Sequence, residues 1–249
     1  MARKTVSLPV PPNPNIEQVL GEFLAEQKRR LKPATFSNYE SVIDLLRSHL
    51  NGYAYDGLSR AESALFKKHY NAEGKEHREF CEIFGPDKIV ESFSGFLGYF
   101  MVRKVLAGEE LKRAAGTVTK KLSKWLVEKG YTSQELALEG SEEGAAAARN
   151  LPRAERAARL LYEDTNRTAL DPNSLSDEDY QDFDHYTIVK IEPGKLWMES
   201  FTGGEELIGP VRAPEKATTL LRTGWNISCS LGRIRGQWRL LEMGNVYPD

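Results

Sequence analysis

Near His185 the spacing of apolar residues changes from that of a helix to that of a strand, and one layer of secondary structure does not accommodate both. Before this point apolar side chains recur every three to four residues; after it they alternate. The chain is therefore expected to fold as α+β in two segregated domains, an all-α bundle followed by a small all-β barrel. With 249 residues, each part is long enough to bury a core of its own.

Five helices are expected in the first part. Asn15 caps the first, which places Ile16, Val19, Leu20 and Phe23 on one face. Pro33 opens the second, which carries Phe36, Tyr39, Val42, Ile43, Leu46 and Leu50 to a stop at Asn51-Gly52. Ser59 starts the third. Gly85-Pro86-Asp87 starts a long fourth helix, apolar around most of its circumference from Ile89 to Leu106 and so expected at the centre of the bundle. The fifth runs from about Gly108 to Lys129 and ends at Gly130.

Residues 132–184 read as an acidic linker with one short helix, from Pro152 to Tyr162, and Asp177 to Asp184 as an unstructured acidic loop. From 185 to 249, five short strands are expected, beginning with the hairpin of 186–191 and 196–200. A second hairpin joins Trp225–Leu231 to Trp238–Met243, with Trp225, Ile227, Cys229 and Leu231 facing inward. Five strands in so short a span suggest an OB-like or SH3-like barrel. Residues 1–14, rich in proline, read as a disordered lead-in without the apolar core of a signal peptide.

Charge is uneven along the chain. Residues 1–131 hold 21 basic against 16 acidic residues, 132–184 hold 5 against 13, and 185–249 hold 8 against 7. A mildly basic helical part permits nucleic-acid binding without requiring it. No run of about 18 uncharged apolar residues occurs, so no membrane partner is expected. Cys81 and Cys229, the only cysteines, fall in different halves and read as buried thiols of a cytoplasmic protein.

Two stretches carry a family resemblance. Leu31 to Tyr39 (LKPATFSNY) opens a helix at a hydroxyl residue, Thr35, with an aromatic four positions on. Thr117 to Tyr131 (TVTKKLSKWLVEKGY) is a basic helix with an aromatic core residue and a terminal glycine. Over roughly residues 15–131 the chain thereby resembles the N-terminal SAM-like, core-binding domain of phage integrases and other tyrosine recombinases. The resemblance implies a helical domain that clamps duplex DNA. It also implies a separate catalytic domain, and this chain lacks the residues for one. None of His49, His69, His77 and His185 has an arginine three positions on, and Tyr247 stands without the cations that phosphoryl transfer requires.

The candidate nucleic-acid contacts are Lys112, Arg113, Thr117, Lys120, Lys121 and Lys124 on the fifth helix, most of them on one face. In the β part they are Arg233, Arg235 and Arg239 around the Gly232–Gly236 turn, beside Trp238 and Trp225. Lys28-Arg29-Arg30 with Lys32 forms a further cluster, also read as favourable charge at a helix C-terminus. No phosphate loop, EF-hand or nucleophile–base pair is found, so no catalytic residue, metal or cofactor is expected. The expectation is a non-enzymatic adaptor, binding duplex DNA through its helices and protein or single-stranded nucleic acid through its barrel. The other reading is a protein–protein scaffold.

Overall fold

The computed structural model describes residues 12–168, 174–201 and 207–248. Most of the expected lead-in and residues 169–173 of the expected linker lie outside the described residues. The chain forms two compact units, Met1–Leu97 with Ala114–Ala145, and Gly98–Arg113 with Ala146–Asp249.

The first unit is helical. In α1 (Ile16–Arg30), Asn15 and Gln18 form a reciprocal capping box, satisfying two otherwise orphaned N–H groups. Helix α2 (Pro33–Tyr53) has proline in its first turn and runs past the expected stop at Asn51. Inside the helix, Asn51 accepts a hydrogen bond from the Cys81 N–H at 2.9 Å, which anchors the next segment. Helix α3 (Arg60–Tyr70) is capped by Ser59 and Glu62. The short α4 (Phe80–Ile83) buries Phe80, Cys81 and Ile83.

The expected central helix is buried but not regular. It consists of α5 (Asp87–Glu91), a π-helical turn over Gly95–Phe100 and α6 (Met101–Arg103). The glycine-containing stretch permits the widened turn, and a Cβ on Gly95 would stand 3.2 Å from the His49 ring. Ile89, Val90, Phe93, Phe96 and Leu97 are buried as expected, whereas Leu106, beyond α6, is fully exposed. Helix α7 (Glu109–Glu128) buries Ala115, Val118, Leu122, Trp125 and Leu126. It ends in a Schellman closure, with Gly130 at φ +74 and the Tyr131 N–H bonded to the Leu126 carbonyl at 2.8 Å.

The largest departure concerns the expected linker. Gln134–Thr168 is one 35-residue helix, α8, with Pro152 inside it. Its small residues are a packing surface and not a spacer. A Cβ on Gly144 would lie 2.6 Å from the backbone nitrogen of Lys120, and one on Gly140 would meet Val90, Ser123 and Phe93 at 2.8–3.0 Å. Glycine there lets α8 approach α7 at backbone distance, as in small-residue helix pairs.

In the second unit, the later part of α8 contributes Ala154, Ala157 and Leu161 to the core beneath a five-stranded sheet. The strands are β1 (Tyr180–Glu192), β2 (Lys195–Ser200), β3 (Leu207–Arg212), β4 (Asn226–Ile234) and β5 (Gln237–Tyr247), with a short α9 (Glu215–Thr218) between β3 and β4. β1 starts five residues before His185, because Tyr180 and Gln181 pair with Gly232 and Leu231 of β4. The expected acidic loop is thus a 3-10 turn, Asp177–Asp179, leading into a strand. The pairing runs β1–β2–β3–β5–β4 and returns from β4 to β1, with β3 and β5 parallel. Trp225, Ile227, Cys229 and Leu231 are buried, as their alternation predicts.

Both cysteines are free and buried, and burial pushes both thiols well above their ordinary range. Among the described residues no helix is long and apolar enough to cross a membrane.

Candidate nucleic-acid interface

The sheet's register sorts the candidate arginines of the β part onto different faces. Residues directly opposite one another on paired strands point to the same face. One row crosses all five strands: Glu192, Lys195, Arg212, Arg239 and Gly232. The neighbouring row is Ile191, Leu196, Val211, Trp238 and Arg233. Leu196 and Val211 are fully buried, so this second row faces the core and the first faces outward.

Arg233 therefore belongs to the inner row. Its guanidinium lies over the Trp238 ring, 5.5 Å from the centroid, and its Nε donates to Asp179 Oδ1 at 2.6 Å. That hydrogen bond holds the Asp179 carboxyl below its usual range. Arg235 sits in the β4–β5 turn in a left-handed conformation (φ +51), followed by Gly236 at φ +78, as a two-residue hairpin turn requires. Only Arg239 joins the outer row. Its Nε is buried with no acceptor among the described residues, so the guanidinium is one hydrogen bond short. Trp225 is buried in the core, and Trp238 packs against the core's edge.

Two cations that the sequence reading did not select complete the outer row. Lys195 and Arg212 are exposed and flank one another on β2 and β3, with Arg212 beside Arg239 on β5. None of the three has an ion pair among the described residues. Two positions along β2 from Lys195, Trp197 shares the outer face. Its ring covers Gly209, where a Cβ would come within 2.6 Å, and the Lys190 ammonium lies 4.2 Å from its centroid. Lys190 also pairs with Glu192 at 2.8 Å. The outer face thus presents one indole beside a row of three cations on adjacent strands.

On α7 the structure separates the expected contacts. Lys112 is 5 % exposed and its ammonium is engaged by Glu155, so it faces the interior and not a ligand. Burial of a lysine requires such a partner. Arg113 is exposed within the second unit's part of the helix. Thr117, Lys121 and Lys124 are exposed on the side away from the buried stripe, and Lys120 is half-buried where Gly144 closes on its backbone. Arg30 of the earlier basic cluster is tied to Gln27, and Lys28 lies over Phe36.

His185, beside the acidic run, packs on Tyr247 with ring centroids 5.3 Å apart. Among the described residues no group of three or more His, Cys, Asp or Glu is placed to hold a metal ion. No family model, curated protein or solved structure matches the chain.

Proposed function

We propose that the protein is a non-catalytic nucleic-acid-binding protein whose second unit is an OB-type barrel holding single strands on its outer face. The strand order β1–β2–β3–β5–β4, with a parallel β3–β5 pair and a helix between β3 and β4, supports the OB reading over the SH3 one. The observation that carries the function is the outer row of Lys195, Arg212 and Arg239 beside Trp197. Single strands are held by cations that track phosphates and by aromatic faces on which bases stack, a combination that tolerates any sequence. The Arg239 guanidinium, lacking an acceptor for its Nε, offers its remaining donors to a phosphate oxygen.

In the same reading, the exposed strip of Thr117, Lys121 and Lys124 on α7 meets duplex DNA, the role that the resemblance to integrase core-binding domains implies. Of the three candidate arginines of the β part, this reading keeps only Arg239 on the outer face, with Lys195 and Arg212 joining it there.

The test is fluorescence anisotropy with a labelled oligothymidylate at low salt. Lys195→Glu with Arg212→Glu, both at exposed positions, is expected to weaken binding by at least about tenfold, from two lost phosphate contacts and added repulsion. Unchanged affinity in a folded double variant contradicts the reading. Trp197→Ala is expected to cost a further factor of about ten, in line with about 1–3 kcal/mol per stacked base.

A further inference from the structure

A second concentration of positive charge lies in the second unit and has a different construction. Arg149, Arg153 and Arg156 stand at i, i+4 and i+7 on α8 and so share a helix face. With Arg113 and Glu109 from the start of α7, and with Pro152 and Leu220, they line a groove of about 410 Å³. Every one of these residues belongs to the second unit.

The groove is held in shape by its own hydrogen bonds. Arg153 donates to the backbone carbonyls of Leu220 at 3.2 Å and Thr219 at 3.4 Å, which fixes the guanidinium without neutralising it. Glu109 takes a two-pronged hydrogen bond from Arg156, at 3.1 and 2.7 Å, and a longer one from Arg159 at 3.4 Å. The Arg156 hydrogen bonds, with the nearby charges of Arg159 and Arg113, hold the Glu109 carboxyl below its usual range. Lys112 and Glu155 neutralise each other beside it. Among the residues that line the groove, Glu109 is the one carboxylate beside four arginines.

Holding like charges together is unfavourable unless a counter-ion joins them, and guanidinium groups match phosphate oxygens in geometry as well as charge. We infer that this groove is a binding site for contiguous phosphate groups, separate from the outer face of the sheet. The volume suits a short phosphate chain but not a folded partner. The same chemistry is supplied by a free polyphosphate, such as the tail of a nucleoside triphosphate, and by consecutive phosphodiesters of a nucleic-acid strand.

The test is isothermal titration calorimetry of the full chain with sodium tripolyphosphate at fixed ionic strength, with sodium sulfate as the reference anion. Saturable binding is expected, tighter than that of sulfate. Arg113→Gln with Arg149→Gln, both exposed positions, is expected to weaken it at least about tenfold while far-UV circular dichroism is unchanged. Should the double variant misfold, Arg149→Gln alone is expected to weaken binding severalfold. Lys195→Glu with Arg212→Glu is expected to leave tripolyphosphate affinity unaltered, which separates this site from the sheet face. Absence of tripolyphosphate binding, or the same affinity in the folded arginine variant, overturns the inference. A saturating oligothymidylate then distinguishes the sources. Displacement of tripolyphosphate identifies phosphodiesters as the occupant, and simultaneous binding identifies a free polyphosphate; either result upholds the site.

Discussion

Gly144→Leu is expected to unfold the first unit or to lower its stability by roughly 3 kcal/mol or more. Gly144→Ala is expected to cost about 1–3 kcal/mol. The sign is the informative part. In an exposed helix interior, replacing glycine by alanine stabilises by about 1 kcal/mol, because alanine loses less backbone entropy. At Gly144 a Cβ would stand 2.6 Å from the Lys120 nitrogen and 2.7 Å from the Gly116 carbonyl oxygen. Both are backbone atoms of α7, so no side chain can swing aside and the two helices must separate. Gly21 on α1 is the control: it is exposed, nothing lies within 4 Å of its would-be Cβ, and Gly21→Ala is expected to stabilise by about 0.5–1 kcal/mol. Urea denaturation followed by circular dichroism at the helical minimum reads both. Stabilisation by Gly144→Ala would mean that α8 does not pack on α7 at this distance.

Acidification from pH 7 to about pH 4.5 is expected to remove on the order of 2 kcal/mol from the first unit through His49 alone. The ring is 4 % exposed, stacked on Tyr53 at 5.8 Å and packed on Phe96 at the same distance. Burial lowers its pKa from 6.5 to about 4, against the opposing influence of a main-chain hydrogen bond at Ser92. Between these values the unfolded chain binds a proton that the folded one does not, so stability falls as the pH drops from about 6.5 towards about 4. Other groups overlap this window. His77, raised chiefly by its hydrogen bond to Glu79, and the desolvated Glu143 act in the opposite direction, favouring the fold as they take up protons. Glu22, Glu26 and Glu62, held below the usual range mainly by hydrogen bonds, add acid sensitivity below pH 4.5. The difference between the wild type and His49→Gln isolates the His49 contribution. The variant is expected to lose most of the slope between pH 6.5 and 4.5, and an unchanged slope would contradict the assignment.

The fold was legible where periodicity and capping are local properties. Asn15, Pro33, Ser59 and Gly130 each mark a helix end through their own backbone chemistry, and the alternation of Trp225, Ile227, Cys229 and Leu231 matches a buried strand face. Helix α8 was not legible, because Gly140, Gly144 and the alanines after them look like a spacer unless the α7 backbone they approach is known. Lys112 shows the same limit: its place on an amphipathic helix suggests a solvated cation, and only the position of Glu155 explains its burial.

The candidate site required register. Arg233, Arg235 and Arg239 are neighbours in sequence, yet one faces inward onto Trp238, one occupies a turn and one faces outward. Lys195 and Arg212 come beside Arg239 only through the pairing of β2, β3 and β5, which no spacing encodes. Trp197 did leave a trace. It lies between Leu196 and Met198, and a strand that buries both must turn the indole outward.

The most direct test of the central reading is the salt dependence of oligothymidylate binding. Plotted as log affinity against log salt concentration, the wild type is expected to show a slope of about −2, from roughly three phosphates neutralised on the outer face. Lys195→Glu with Arg212→Glu is expected to flatten that slope by about 1.4 units, or about 0.7 for each contact removed. A wild-type affinity that does not vary with salt, or a double variant with the wild-type slope, would contradict the assignment of this face to nucleic acid.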